Sequence, residues 1–127
     1  MIDKEAYVSF EVAKLLKEKG FDWRCVGYYV DDEPDNIKYS YLRETNSDWE
    51  SRCCSAPTQQ MTMKWLRETH DLIIYIKLVN DGDIYYDAWG FTIYNKFTKE
   101  YLKSSKLWFK YEEACEAALK YSLENLI

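Results

Sequence analysis

Apolar residues recur along this chain with two periods, and the places where one period gives way to the other predict its elements. Phe10, Val12, Leu15 and Leu16 fall on one stripe with Lys14, Lys17 and Glu18 opposite, the spacing of an amphipathic helix over residues 10–19. Ser9 is suited to cap it, Glu11 lies where the helix dipole favours an acid, and Gly20-Phe21 suits a left-handed ending closed by a ring. Strand formers follow in residues 22–30 (DWRCVGYYV), then a polar turn at 31–36 and an alternating run at 37–42. Residues 43–52 show no period and read as a loop that holds Trp49 against the body.

The central stretch, residues 55–79, repeats the step from helix to strand. Met61, Thr62, Trp65, Leu66 and Thr69 make an inner helix face. Ser55 is expected to cap this helix by accepting from the Thr58 amide, with Pro57 in the first turn and His70-Asp71 closing it. Leu72–Val79 and Ile84–Tyr94 then flank Asp81-Gly82, a strong type I′ hairpin signal. That turn puts Leu72, Ile74, Ile76 and Leu78 on one face with Tyr85, Asp87, Trp89, Phe91 and Ile93. Residues 97–109 read as a fifth strand, with lysines suited to a sheet edge. The last helix spans 111–126, its stripe formed by Tyr111, Ala114, Cys115, Ala118, Leu119, Ser122 and Leu126.

These elements give an α+β fold in the order αββαββ(β)α: a single antiparallel sheet of four to five strands with three helices packed on one face. The expectation is one globular domain over residues 1–127. A weak αββ echo relates 10–42 to 57–94, with 111–126 as a closing helix.

Composition narrows the classes. The chain is 47% hydrophobic and 31% charged, which excludes a disordered or low-complexity protein. The apolar run Leu72–Ile76 is too short to span a membrane, and charge from Asp3 onward gives no export signal. Four cysteines without a framework then read as reduced thiols in the cytosol. A single histidine and no ligand-spaced cysteines argue against zinc, and no motif calls for a cofactor. The net charge of −5 is uneven: seven acids against two bases between Asp31 and Glu50, five lysines against one acid between Lys96 and Lys110.

Candidate chemistry is sparse. Asp87, between Tyr85 and Trp89, is a carboxylate on an apolar strand face; it marks either a ligand pocket or an Asp held by a hydrogen bond or a bulge. The helix start at Ser55, Thr58 and Gln59 could receive an anion, against the plainer reading of a cap with solvated side chains. Cys53 or Cys54 with His70 would be nucleophile and base, yet a helix about 20 Å long separates them. The pairs Asp31/Asp32 and Asp81/Asp83 could bind a divalent cation or work as acid and base, against the plainer reading of turn residues that bond their own backbone, and no EF-hand spacing is present. In segment 96–111, Lys103 and Lys106 with Tyr101 and Trp108 have the composition of a single-stranded nucleic-acid or partner surface, which the overall acidity disfavours.

Residues 7–23 (YVSFEVAKLLKEKGFDW), 55–68 (SAPTQQM through WLRE) and 111–127 (YEEA through LENLI) resemble three blocks of a small protein family common in phages and mobile elements of gut Bacteroidetes. That family has no assigned activity, so the resemblance implies a setting inside a bacterial cell and no site residues. The leading expectation is a non-enzymatic cytosolic binding or adaptor protein whose Tyr/Trp-rich surface meets a host or phage protein. The alternatives are a small-molecule or nucleotide-binding domain with its pocket between sheet and helices, and single-stranded nucleic-acid binding through 96–111. The sequence does not fix the oligomeric state.

Overall fold

A computed structural model describes residues 6–49, 51–79, 88–104 and 107–127. Helix α1 (Phe10–Glu18) starts where Ser9 Oγ accepts the Val12 amide at 3.2 Å. It ends with Gly20 at φ +86°, Gly20 N–H on the Lys17 carbonyl and Phe21 N–H on the Leu16 carbonyl. Those paired bonds satisfy the last carbonyls and fold the Phe21 ring into the core.

The first sheet places β1 (Cys25–Val30) between β2 (Lys38–Glu44) and β3 (Cys53–Ser55), all antiparallel. Strand β3 lies where a loop end and a helix cap were expected, and its three residues pair with Tyr28, Tyr29 and Val30. The ladder between β1 and β2 is broken. Gly27 faces Tyr39 and Cys25 faces Glu44, so residues 40–43 stand against Val26 alone, with Arg43 at φ +51°. Trp49 stacks on Tyr28 with ring centres 4.5 Å apart and donates its indole N–H to Ser55 Oγ at 2.9 Å. A 3₁₀ turn at Asn46–Asp48 carries the second fastener: the Asn46 side chain donates to the Phe21 carbonyl and accepts the Ser55 amide, both at 2.8 Å.

Helix α2 (Gln59–His70) is capped by Thr58, whose Oγ1 accepts the Met61 amide at 3.1 Å. Ser55 is therefore not the cap. Its backbone belongs to β3, its hydroxyl serves Trp49, and the following residues lie alongside the N-terminal arm: Val8 N–H donates to the Pro57 carbonyl and Gln59 N–H to the Ala6 carbonyl. That pairing keeps 56–58 extended and delays the helix. Asp71, left-handed at φ +60°, ends it.

Strands β4 (Leu72–Val79), β5 (Ala88–Asn95) and β6 (Glu100–Ser104) form a second antiparallel sheet in sequential order. The expected single sheet of four to five strands is thus replaced by two sheets of three. Strand β3 occupies one side of β1 and the bulge interrupts β2 on the other, so the first sheet offers no regular edge to β4. Within the second sheet, Ile74 faces Ile93, Ile76 faces Phe91 and Leu78 faces Trp89. An unbroken two-residue turn at Asp81-Gly82 would have set Leu78 against Tyr85. The face parity is as expected, but the register is displaced by four residues, from 85 to 89. The turn itself lies outside the described residues.

Helix α3 (Tyr111–Asn125) packs against β4, β5, α1 and α2, and buries Ala114, Cys115, Ala118, Leu119, Ser122 and Leu123. One apolar cluster links Val12 and Leu16 of α1, Trp65 and Leu66 of α2, Phe91 and Ile93 of β5, and Leu119 and Leu123 of α3. The Glu116 carboxylate joins the helices: one oxygen accepts the Ser9 amide at 2.9 Å, the other the Gln59 side-chain amide at 3.2 Å. An acid shared by the starts of two helices suits both dipoles. No described helix is long and apolar enough to cross a membrane.

Candidate protein-binding surface

The helix start at residues 55–59 is largely occupied by its own chain. Ser55, Thr58 and Gln59 are all buried, and Gln59 Nε2 donates to the Glu112 carbonyl at 3.1 Å as well as to Glu116. The Gln59, Met61 and Thr62 amides are taken by Ala6 O, Thr58 Oγ1 and Thr58 O. With a carboxylate already beside it, this helix terminus is a joint between the arm and two helices. Asp87 and Tyr85 lie outside the described residues. Trp89, their expected companion, exchanges two 2.7 Å backbone bonds with Trp108 and sets its ring edge-on to Tyr111 at 5.2 Å.

The lysine and aromatic residues of 96–111 part company. Lys103 Nζ sits over the Tyr121 ring of α3 at 5.1 Å, and Trp108 stacks on Phe91 at 5.7 Å, both on the helix side of the second sheet. Tyr101 instead packs on Tyr94 at 4.9 Å, on the opposite side. Lys106 lies outside the described residues.

Three of the four thiols are not poised as nucleophiles. Burial pushes the Cys25 thiol up to about 12, and the Cys54 and Cys115 thiols up to about 11, so all three stay protonated and inert at neutral pH. His70 packs edge-on to Trp65 at 4.9 Å; its Nε2 is buried without a hydrogen-bond partner among the described residues, and burial lowers its pKa. Among the described residues, no group of three or more His, Cys, Asp or Glu side chains is placed to hold a metal ion.

Two cavities lie among the described residues beside the first sheet. One, about 120 Å³, is lined by Tyr7, Arg24, Arg43, Thr58 and Met61 near the start of α2. The other, about 290 Å³, lies between α1 and β3 and is lined by Lys14, Lys17, Asp31, Ser51 and Cys53. The smaller falls well below the roughly 300–1,000 Å³ usual for small-molecule pockets, and the larger lies at the lower end of that range. Lys17 Nζ, in the larger one, already donates to the Cys53 carbonyl at 2.6 Å.

The opposite side of the second sheet is different in kind. Alternation along β4 sends Leu72, Ile74 and Ile76 toward the helices and turns Ile73, Tyr75 and Lys77 away. Register brings Tyr94 opposite Ile73 and Tyr101 opposite Tyr94, so tyrosines from all three strands share this outer face. Tyr75 is 45% exposed and Tyr101 72%. Phe97, 81% exposed, stands in the connection between β5 and β6, where Asn95 Oδ1 accepts the Phe97 and Thr98 amides at 2.9 and 3.0 Å. Lys77 stands on the same face, and Lys96, which pairs with Asp71 at 3.8 Å, and Lys99 lie in that connection beside Glu100. The sequence pointed to Tyr101 but not to Tyr75, because strand alternation alone does not say which side a helix will cover. No family model, curated protein or solved structure matches this chain.

Proposed function

We propose that this chain is a non-enzymatic binding protein of the bacterial cytosol, in a phage or mobile-element setting, that holds another protein against the outer face of its second sheet. One observation carries the reading: Tyr75 and Tyr101 are exposed on the outer face of the second sheet and Phe97 is exposed in the connection between β5 and β6, and such rigid rings give contact area at low entropic cost. Lysines 77, 96 and 99 around the rings favour a partner with an acidic rim. Four free thiols, three of them buried, support a reducing compartment.

Affinity capture from a bacterial lysate tests this, with wild type beside a Tyr75→Ser/Tyr101→Ser double variant and bound proteins quantified by mass spectrometry. The expected result is one defined acidic protein on the wild type, reduced roughly tenfold or more on the variant, with unchanged far-UV circular dichroism. Equal recovery on both chains overturns the surface. Salt-sensitive retention of single-stranded oligonucleotides, lost in Lys103→Ala, overturns the partner class in favour of nucleic acid.

A further inference from the structure

The outer face is not the only unfinished boundary of the second sheet. Strand β4 is an edge strand, and all eight of its residues pair in register with β5. No described strand pairs with its other side. Its sequence, LIIYIKLV, holds a single charge, and Leu78 is 52% exposed. The other described edges are less regular: β2 is interrupted by a bulge over residues 40–43, β3 is three residues long, and β6 is five residues long with a register shift. Proteins ordinarily blunt such edges because a long regular one recruits another strand.

The residues of this edge also specify what it recruits. A second β4, entering antiparallel with its helices on the same side of the joined sheet, must set like face against like face. A two-fold axis through Ile74 does so. It sets Ile74 against Ile74, Leu72 against Ile76, and Ile73 against Tyr75. It also brings Asp71 opposite Lys77, twice, which gives the strand's only charge an opposite partner. Asp71 lies directly before Leu72, its backbone left-handed, and the Lys96 amide donates to its carbonyl at 2.9 Å, which holds it at the end of the ladder between β4 and β5. Its own ion pair with Lys96 is long, at 3.8 Å, and both side chains are well exposed. Shifting the axis to Tyr75 or Ile76 would leave Lys77 facing Ile73 or Tyr75 and Asp71 facing Val79 or lying beyond the strand.

We propose that two copies of this chain join edge to edge through β4, antiparallel and centred on Ile74, with Asp71 of each copy facing Lys77 of the other. Six strands then form one continuous sheet. The aromatic outer faces of both copies lie side by side on it, so each dimer presents its partner surface twice. The pairing does not rest on the partner reading, because it concerns the edge and not the face.

Sedimentation equilibrium tests it with three samples: Asp71→Lys, Lys77→Asp, and their equimolar mixture. The first variant alone brings lysines 71 and 77 together twice, and the second brings two aspartates together twice. In the mixture, every such contact is again between opposite charges. Wild type is expected to dimerise, each variant alone to weaken the dimer roughly tenfold or more, and the mixture to recover it. A wild type that stays monomeric to its solubility limit overturns the proposal. So does a mixture that remains as weak as its components. Should either variant fail to fold, hydrogen exchange on wild type decides. The β4 amides are expected to slow as concentration rises while those of residues 40–43 do not, and concentration-independent exchange in β4 overturns the pairing.

Discussion

The two sheets have the same strand count and the same antiparallel ladders, yet their boundaries are finished in opposite ways. In the first, β1 is flanked by a bulged strand and a three-residue strand, and its outward-facing Tyr28 lies under Trp49. Tyr41 and Leu42 are largely exposed there, but they stand in the bulge, where the backbone cannot offer a regular edge. In the second, an unbroken eight-residue strand forms the edge and tyrosines occupy the uncovered face. Each sheet contributes to the shared core. The difference shows that a strand's role is set as much by its free side as by the side it buries.

Closure of the first sheet implies that small changes there act strongly. Carbon added at Gly27 would lie 2.6 Å from the Ala56 carbonyl oxygen and 3.1 Å from the Tyr7 ring. The Ala56 amide also donates to the Gly27 carbonyl, so neither backbone can retreat without breaking that bond. Gly27→Ala is expected to cost about 3 kcal/mol in urea unfolding. A neutral result would mean that this sheet is looser than its contacts imply.

Asn46 comes next. Asn46→Ala removes a donor from the Phe21 carbonyl and an acceptor from the Ser55 amide, leaving both groups in buried surroundings. A loss of about 2 kcal/mol is expected from the same measurement. A loss near zero would show that the cover over Tyr28 is held by Trp49 alone.

The smallest effect belongs to the seam between α2 and the second sheet. His70 titrates at 6.5 when unfolded, and burial lowers that value in the folded chain. Between those two values, the unfolded state binds more protons. Stability therefore falls as pH drops through 6.5 and levels off below the folded value. The melting temperature is expected to be slightly lower at about pH 5.5 than at about pH 7.5, and His70→Gln should shrink the difference. Asp22 and Asp48 do not confuse this window. Hydrogen bonds from Ser47 and Thr45 hold their carboxylates below the ordinary 3.8, so their contribution is lost only in stronger acid.

How legible these features are in the sequence depends on whether their cause is local. All three helices follow from stripes three and four residues apart, and the Ser9 cap and the Gly20-Phe21 ending are fixed by neighbouring residues. The shared face of β4 and β5 follows from alternation, but their register does not, since shifting it by an even number preserves every face. Strand β3 has three residues and no period of its own; it is a strand because β1 lies beside it. Thr58 and Ser55 are both good caps by type, and the arm at residues 6–8 decides between them. The open edge is the least legible feature, because LIIYIKLV reads the same with one neighbour or two.

The Glu116 carboxylate carries a consequence for how the protein comes into being. It receives the Ser9 amide across 107 residues of sequence, and the core is shared among α1, α2 and α3. At roughly 5–20 residues per second, a ribosome takes roughly 5–20 seconds to pass from Ser9 to Glu116. Over that interval the first helix and then the strands of both sheets are made in turn, before the element that joins them. The uncapped edge of β4 is synthesised before α3, so a crowded polysome presents many such edges to one another ahead of any finished core.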